Sequence, residues 1–372
     1  MGLLEVKQLT KKFGNRAVLD NVSFTVDDGE FFVLLGPSGG GKSTILKILC
    51  GIESSDAGSV VLAGKDITTS APRDRNVGMV FQDYGLYPHM NVAENIAYGL
   101  EARNYPKDEV AKRVKDAAER LGLTPLIDRV IVDLSGGEQQ RVALARALAK
   151  DADMYLFDEP ISNLDPKLRA QARRDILMVH RAKQKPTVYV THGQNEALAI
   201  SDRIAIIAGG RLQQVGTADE LLRRPANVFV AGFLDTPAMN LLPGDLKFDS
   251  GEYRVNITDA LSIRLPAQWN ETLKNYNKPR VILGIPPAAF LAPDVAVEAD
   301  LHGVENHIAG EIDFVEPLVS EVVVSFKLQN NFFVSAIFQG VDETALEVGS
   351  KIQVGVDSAQ FCLFDPDTEQ AL

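Results

Sequence analysis

Cysteine is nearly absent: Cys50 and Cys362 are the only two in 372 residues, and they lie far apart. That excludes a disulfide framework and leaves no Cys/His spacing suited to zinc. Cys50 falls on an apolar helical face and reads as a small core residue, so the compartment reads as reducing. No apolar run approaches the roughly 18–20 residues of a membrane-spanning helix. The start, Met1-Gly-Leu-Leu-Glu-Val, lacks the basic and apolar regions of a secretory signal. A cytoplasmic location is expected. Basic runs are missing too. The chain carries 38 Lys and Arg against 50 Asp and Glu, a net charge of −12. Residues 1–242 balance at 30 each, while 243–372 hold 8 basic and 20 acidic residues. Such a chain is a poor fit to phosphate-backbone binding, and no nucleic-acid partner is expected. The acidic C-terminal part reads as a solubility device. Tandem repeats and low-complexity segments are also missing.

What is present is an ordinary globular composition, 45% apolar and 24% charged, with length enough for two or three domains. Short apolar runs recur at Phe31–Leu35, Val77–Phe81, Tyr155–Phe157, Thr187–Val190 and Ile204–Ile207. They are rich in aromatic and β-branched residues and lack polar alternation, as strands of a mainly parallel sheet buried on both faces do. Helical patterns lie between them: Asp108–Leu121, with Val110, Val114, Ala117, Ala118 and Leu121 on one face, then Glu138–Lys150 and Pro166–Lys183. The alternation predicts an α/β domain. The stretch 84–133 is mostly helical and reads as an inserted subdomain. Beyond Thr236–Gly244 short alternating runs follow, including Val322–Phe326, Phe332–Phe338 and Lys351–Val356. They are separated by Gly, Asn, Asp and Pro and predict an all-β part, a small barrel. The expected domains are 1–235 and 236–372.

Gly36-Pro-Ser-Gly-Gly-Gly-Lys-Ser43 matches the phosphate-binding loop G-x-x-x-x-G-K-[ST], between an apolar strand and a helical pattern from Ser43 to Cys50 closed by Gly51. Backbone N–H groups from Gly36, Ser38, Gly39, Gly40, Gly41 and Thr44 surround phosphate oxygens, and the helix N-terminus adds positive potential. Lys42 reaches the β- and γ-phosphates and the Ser43 hydroxyl is placed for Mg²⁺. Met154-Tyr-Leu-Phe-Asp158-Glu159 brings two carboxylates to a strand's C-terminal end, where ligands of open α/β sheets bind. Asp158 is placed to hold Mg²⁺, and Glu159 to polarise the water that attacks the γ-phosphate. Alone, such an ending is an ordinary solvated strand terminus; beside the phosphate loop it predicts a nucleoside triphosphatase. Ser135-Gly136-Gly137, just before a helix, reads alone as an N-cap with a flexible turn and, beside the phosphate loop, as a second phosphate cradle. Two cradles for one phosphate are reconciled by two copies facing head to tail.

Together these segments resemble the ATPase subunit of ABC transporters over essentially the whole chain. The resemblance implies a P-loop ABC ATPase domain with a helical insertion, then an OB-like regulatory domain. Gln82, in Val80-Phe-Gln-Asp-Tyr84, matches the family's Q-loop glutamine, which contacts Mg²⁺ beside the transmembrane partner. Ser162-Asn-Leu-Asp165 matches the D-loop, so Asp165 is expected to communicate across the dimer. His192 matches the switch histidine at the γ-phosphate, and Phe13 the aromatic stacked on adenine. Val77–Met90 with Val92-Ala-Glu-Asn-Ile96, and Phe229–Phe233 leading to Pro237-Ala-Met-Asn240, resemble the ATPases of maltose-type carbohydrate importers. Leu363-Phe-Asp365 fits the usual close of their regulatory domain.

The resemblance implies ATP and Mg²⁺ as ligands and a homodimer or heterodimer of ATPase subunits. It further implies two transmembrane permease subunits, indirect work with an extracytoplasmic solute-binding protein, and a place on the cytoplasmic face of the cell membrane. Tyr84–Tyr87 and the helical subdomain would move against the permease. Three positions depart from the family pattern. Gly193 stands where relatives usually carry an acid, Glu138 replaces a commoner glutamine, and Gly284-Ile-Pro-Pro-Ala288 lacks the arginine and glutamate of G-I-R-P-E. The expected solute is a sugar or oligosaccharide, against a polyamine or inorganic anion in the same machine. A soluble ATPase of DNA repair or translation is the reading from another class.

Overall fold

The computed structural model describes residues 3–292, 306–329, 331–342, 344 and 346–372. The part of the expected C-terminal domain within 293–305 lies outside these. The chain divides into two units, Met1–Ala218 and Asp219–Leu372. The helix Val228–Phe233, placed by sequence in the first domain, falls in the second unit. There the Val228 N–H donates to the Glu369 carbonyl at 2.9 Å and the Ala371 N–H to Ala226 at 2.9 Å.

In the first unit the apolar runs form one six-stranded sheet. Its order is Arg211–Gly216, Arg203–Ala208, Phe31–Leu35, Thr187–Thr191, Met154–Asp158, Val77–Val80. Only the first pair is antiparallel. Phe31–Leu35, Met154–Asp158 and Thr187–Thr191 are buried at every residue, which explains their lack of polar alternation. All the parallel strands therefore end on one edge, and the phosphate loop, the carboxylate pair and His192 leave from that edge. A second, antiparallel sheet of Arg16–Val26, Leu4–Phe13, Ala57–Leu62 and Lys65–Asp66 was not anticipated. Several of its register shifts interrupt the period-two pattern that would have announced it. Both sheets and the helix Lys42–Cys50 share one apolar core, including Leu4, Val60, Leu34, Ile45 and Val190.

The helical insertion contains Val92–Glu101 and Lys107–Arg120; four of the expected apolar positions are buried in the latter and the fifth, Leu121, is buried at its C-cap. Asn91 opens the first of these helices with a capping box, its Oδ1 accepting from the Glu94 N–H and its N–H donating to the Glu94 carboxylate. Gly136–Ala149 and Pro166–Lys183 match their sequence-derived helices to within two residues at each end.

The second unit is strand-rich. Among the described residues, one sheet runs Ser262–Arg264, Glu252–Asn256, Asn240–Asp249, Arg280–Ile285, Cys362–Phe364. The other runs Phe333–Gln339, Glu321–Lys327, His307–Pro317, Lys351–Gly355. Inward residues of both, such as Val255, Leu283, Val324 and Phe338, form one core. Asn240 joins the sheets: its buried amide donates to the Ile285 and Ser335 carbonyls at 3.0 and 2.9 Å and accepts from the Ser335 N–H at 2.8 Å. The Pro237–Asn240 run therefore carries a structural bridge.

Candidate nucleotide-hydrolysis site

The phosphate loop is shaped by close approach. A Cβ on Gly36 would stand 2.0 Å from the Ile207 carbonyl oxygen. Gly41 has φ 104°, and a Cβ there would stand 2.6 Å from the Leu19 side chain and 2.8 Å from the Val18 carbonyl. Only glycine fits at either position. The helix begins at Lys42, one residue earlier than the sequence pattern, and closes at Gly51. Lys42 is buried, and its Nζ donates to the Gly36 and Pro37 carbonyls at 2.8 and 2.9 Å. Burial lowers its pKa, and the charges of Glu159 and Asp158 oppose that shift.

The Ser43 hydroxyl donates to Asp158 Oδ1 at 3.0 Å. Burial raises the Asp158 pKa; the Ser43 hydrogen bond offsets part of this. Next along the chain, Glu159 adopts φ 44° and its N–H donates to the Val190 carbonyl at 3.0 Å. That bond turns its side chain toward the end of the adjacent strand, where His192 Nδ1 lies 3.1 Å from Glu159 Oε2. The strand-end turn after Thr191 is itself braced. Thr191 Oγ1 accepts from the Gly193 N–H at 2.9 Å and donates to Glu196 Oε2 at 2.9 Å. The Tyr189 hydroxyl donates to the other Glu196 oxygen, and burial with that carboxylate keeps the phenol protonated. A Cβ on Gly193 would come within 3.2 Å of Glu196 Oε2. The glycine that departs from the family pattern thus sits against an acid supplied by Glu196.

Lys42, Ser43, Asp158, Glu159 and His192 are gathered at one sheet edge. Gln82 is exposed two residues after its strand, and its carbonyl accepts from Asn163 Nδ2 at 3.0 Å. Tyr84 and Gly85 follow with φ of 63° and 55°, their carbonyls held by the Arg146 guanidinium at 2.8 and 2.6 Å. The Tyr84 side chain is buried, so within the expected permease-facing stretch its ring is directed inward.

Phe13, Ser135, Gly136 and Asp165 are exposed and, among the described residues, make no hydrogen bond to that cluster. Phe13 is 50% exposed, with Lys11 Nζ 5.1 Å from the ring centroid, so it is an outward aromatic rather than a core one. Ser135 precedes its helix, and its hydroxyl and N–H both donate to Glu138 Oε2, at 2.7 and 2.8 Å. Those bonds hold the Glu138 carboxyl below its usual pKa. Gly137 is buried against Leu168. Asp165 caps the helix Pro166–Lys183, accepting from the Lys167 and Leu168 N–H groups at 3.0 and 3.2 Å.

Sequence reasoning missed Asn163, Arg146, Thr191 and Glu196. Each acts on a backbone group or a distant side chain, and the residue type alone gives no sign of that.

The ABC transporter family model matches residues 19–162. The oligosaccharides import ATP-binding protein MsmX of Bacillus subtilis (strain 168) is 38% identical over 372 residues, 99% of each chain. The trehalose/maltose import ATP-binding protein MalK of Thermococcus litoralis is 39% identical over 374 residues, 97% of each chain. Among solved structures, CbiO1 from Clostridium perfringens, part of the ABC transporter complex CbiONQ, aligns with a TM-score of 0.55. That match has 26% identity and covers 59% of this chain and 90% of that one. No helix among the described residues is long and apolar enough to cross a membrane. The phosphate loop, the carboxylate pair and near full-length likeness to import ATP-binding proteins agree: the chain belongs to the ATP-binding subunits of the ABC transporter family.

Proposed function

We propose that this ATPase energises uptake of a sugar or oligosaccharide through separate transmembrane permeases, from the cytoplasmic face of the membrane. The observation that carries the reading is the double pairing at one sheet edge: Ser43 with Asp158 at 3.0 Å, and Glu159 with His192 at 3.1 Å. Both relatives described above bear names of carbohydrate importers, which favours that solute class.

In the proposed reaction, backbone N–H groups of residues 36–44 and the Lys42 ammonium hold the β- and γ-phosphates. Glu159 takes a proton from water as the water oxygen bonds to the γ-phosphorus. The bond to the bridging oxygen breaks and ADP leaves with that electron pair. His192 holds the Glu159 carboxylate and meets the γ-phosphate. Ser43 and Asp158 supply a hydroxyl and a carboxylate, hard oxygen donors of the kind Mg²⁺ prefers, and Gln82 can add its amide. Mg²⁺, when bound, would neutralise charge developing on the phosphates.

Phe13 stacks on adenine in this reading, and Ser135, Gly136, Gly137 and Asp165 complete the site of a second ATPase subunit. Residues 236–372 form the regulatory domain beside an ATPase domain of 1–235, and an extracytoplasmic binding protein delivers the solute. Affinity purification of the tagged chain from detergent-solubilised membranes tests the role. Co-purification of two multi-span carbohydrate permeases is expected. Recovery with ribosomes or nucleic acid and no permease would overturn transport while leaving ATP hydrolysis in place.

A further inference from the structure

The second unit holds a half-open cavity of about 710 Å³, remote in sequence from every residue assigned to hydrolysis. Its size falls in the roughly 300–1,000 Å³ range of small-molecule sites. Two of its wall residues, Pro286 and Ala288, are the positions at which Gly284-Ile-Pro-Pro-Ala288 departs from G-I-R-P-E. A pyrrolidine ring and a methyl group line the space where the family pattern has a guanidinium and a carboxylate. In this chain the departure therefore clears two long charged side chains from the wall.

The rest of the wall suits a neutral, hydroxyl-rich molecule. Trp269 contributes its indole, a flat apolar surface for C–H faces. Gln268, Thr272 and Gln360 add uncharged amide and hydroxyl groups able to both donate and accept. The wall also carries charge of both signs, from Arg223, Arg224 and Asp235. Arg223 is paired with Asp219 at 2.5 Å on the exposed face of its helix, so the inorganic phosphate arm below decides between a neutral and an anionic occupant. We propose that this cavity is a binding site for a neutral mono- or disaccharide, separate from any solute path through the permease.

The site can be tested without the permease, because Trp269 is the only tryptophan in the chain and emission excited at the indole reports on this wall alone. Full-length protein is titrated with glucose, maltose, trehalose and, as a charged probe, inorganic phosphate. A saturable emission change with at least one of the three sugars is expected. Ala288→Glu, which returns a carboxylate to the wall, should weaken that binding tenfold or more and leave sugar-free ATP hydrolysis unchanged. Gln268→Ala, at an exposed position, provides a second variant that should also weaken binding should Ala288→Glu fail to fold. No saturable change or calorimetric heat with any sugar would overturn the proposal. Saturation by phosphate in place of sugar would overturn it too, as would unaltered sugar affinity in both variants. None of these results bears on ATP hydrolysis or on co-purification with permeases, so the two readings fail separately.

Discussion

Glu159 is held on a left-handed backbone, φ 44°, a conformation that costs a non-glycine residue about 1 kcal/mol or more. The strain is offset by the hydrogen bond to Val190 and by the contact with His192, and it aims a carboxylate across to the neighbouring strand end. Glu159→Gln keeps the shape and removes the proton acceptor. ATP affinity should hold, while turnover falls by about 10²- to 10⁴-fold, and nucleotide-bound dimer should accumulate. Phosphate release and light scattering check this; turnover within about threefold of the parent would assign the base elsewhere. At this scale the sequence was most informative. Lys42, Ser43, Asp158 and Glu159 announced themselves because phosphate chemistry demands those atoms at that spacing. Asn163 and Arg146 did not, because an amide or a guanidinium bonding a carbonyl leaves no pattern that differs from a surface residue.

At the scale of elements, the helix Lys42–Cys50 depends on a residue far from the phosphate loop. Arg75 is buried and spreads its guanidinium over four carbonyls: Ile48 at 2.6 Å, Ser70 at 2.8 Å, Thr68 at 2.9 Å and Leu49 at 3.0 Å. Two of these belong to the last turn of the helix, where a cation is favoured. Gly51 leaves room for it, since a Cβ there would stand 2.6 Å from Arg75 Nε. Arg75→Lys cannot reproduce a planar fork with five donors, and a urea-unfolding loss of about 2–4 kcal/mol is expected.

Helix Pro166–Lys183 offers a pH test. His180 is buried, its Nδ1 lies 2.8 Å from Thr187 Oγ1, and burial lowers its pKa, with Asp202 opposing. The unfolded chain therefore takes up the proton first. The stability this residue contributes is complete above about pH 6.5 and declines as pH drops toward the lowered folded value. Between pH ~7.5 and ~5.5 the parent should lose more unfolding free energy than His180→Gln; equal losses would assign the slope to other groups. The longer helices, such as Lys107–Arg120 and Pro166–Lys183, are legible in the sequence because apolar periodicity survives in them. The six- and seven-residue helices Gln194–Ile200, Ala218–Arg223 and Val228–Phe233 are too short to show it. The antiparallel sheet of the first unit escaped notice because its register shifts scramble alternation.

For the whole molecule, the two units have separate cores, and all of the net acidity lies beyond residue 242. The phosphate loop and the proposed Ser135–Gly137 cradle share no hydrogen bond among the described residues. In the proposed head-to-tail pair Ser135 serves the partner's site, so Ser135→Arg should leave ATP binding by the monomer intact and abolish hydrolysis. Filter binding and phosphate release check the two halves, and loss of monomer binding would sink the head-to-tail arrangement. A strand-rich C-terminal part was legible from its alternating runs. Its cavity was not, because a cavity is made by side chains that are missing, and the sequence showed only that Gly284–Ala288 was unusual.

The bond from Asn163 to the Gln82 carbonyl joins loops that leave two adjacent parallel strands. One loop follows Asp158 and Glu159, the carboxylates of the proposed reaction, and the other leads into the helical insertion. News of a displaced Asp158–Glu159 turn thus has a one-bond route to the insertion that bypasses the rigid sheet. The chain holds its own telegraph line, and its fidelity rests on a side chain that touches neither nucleotide nor permease in the proposed mechanism.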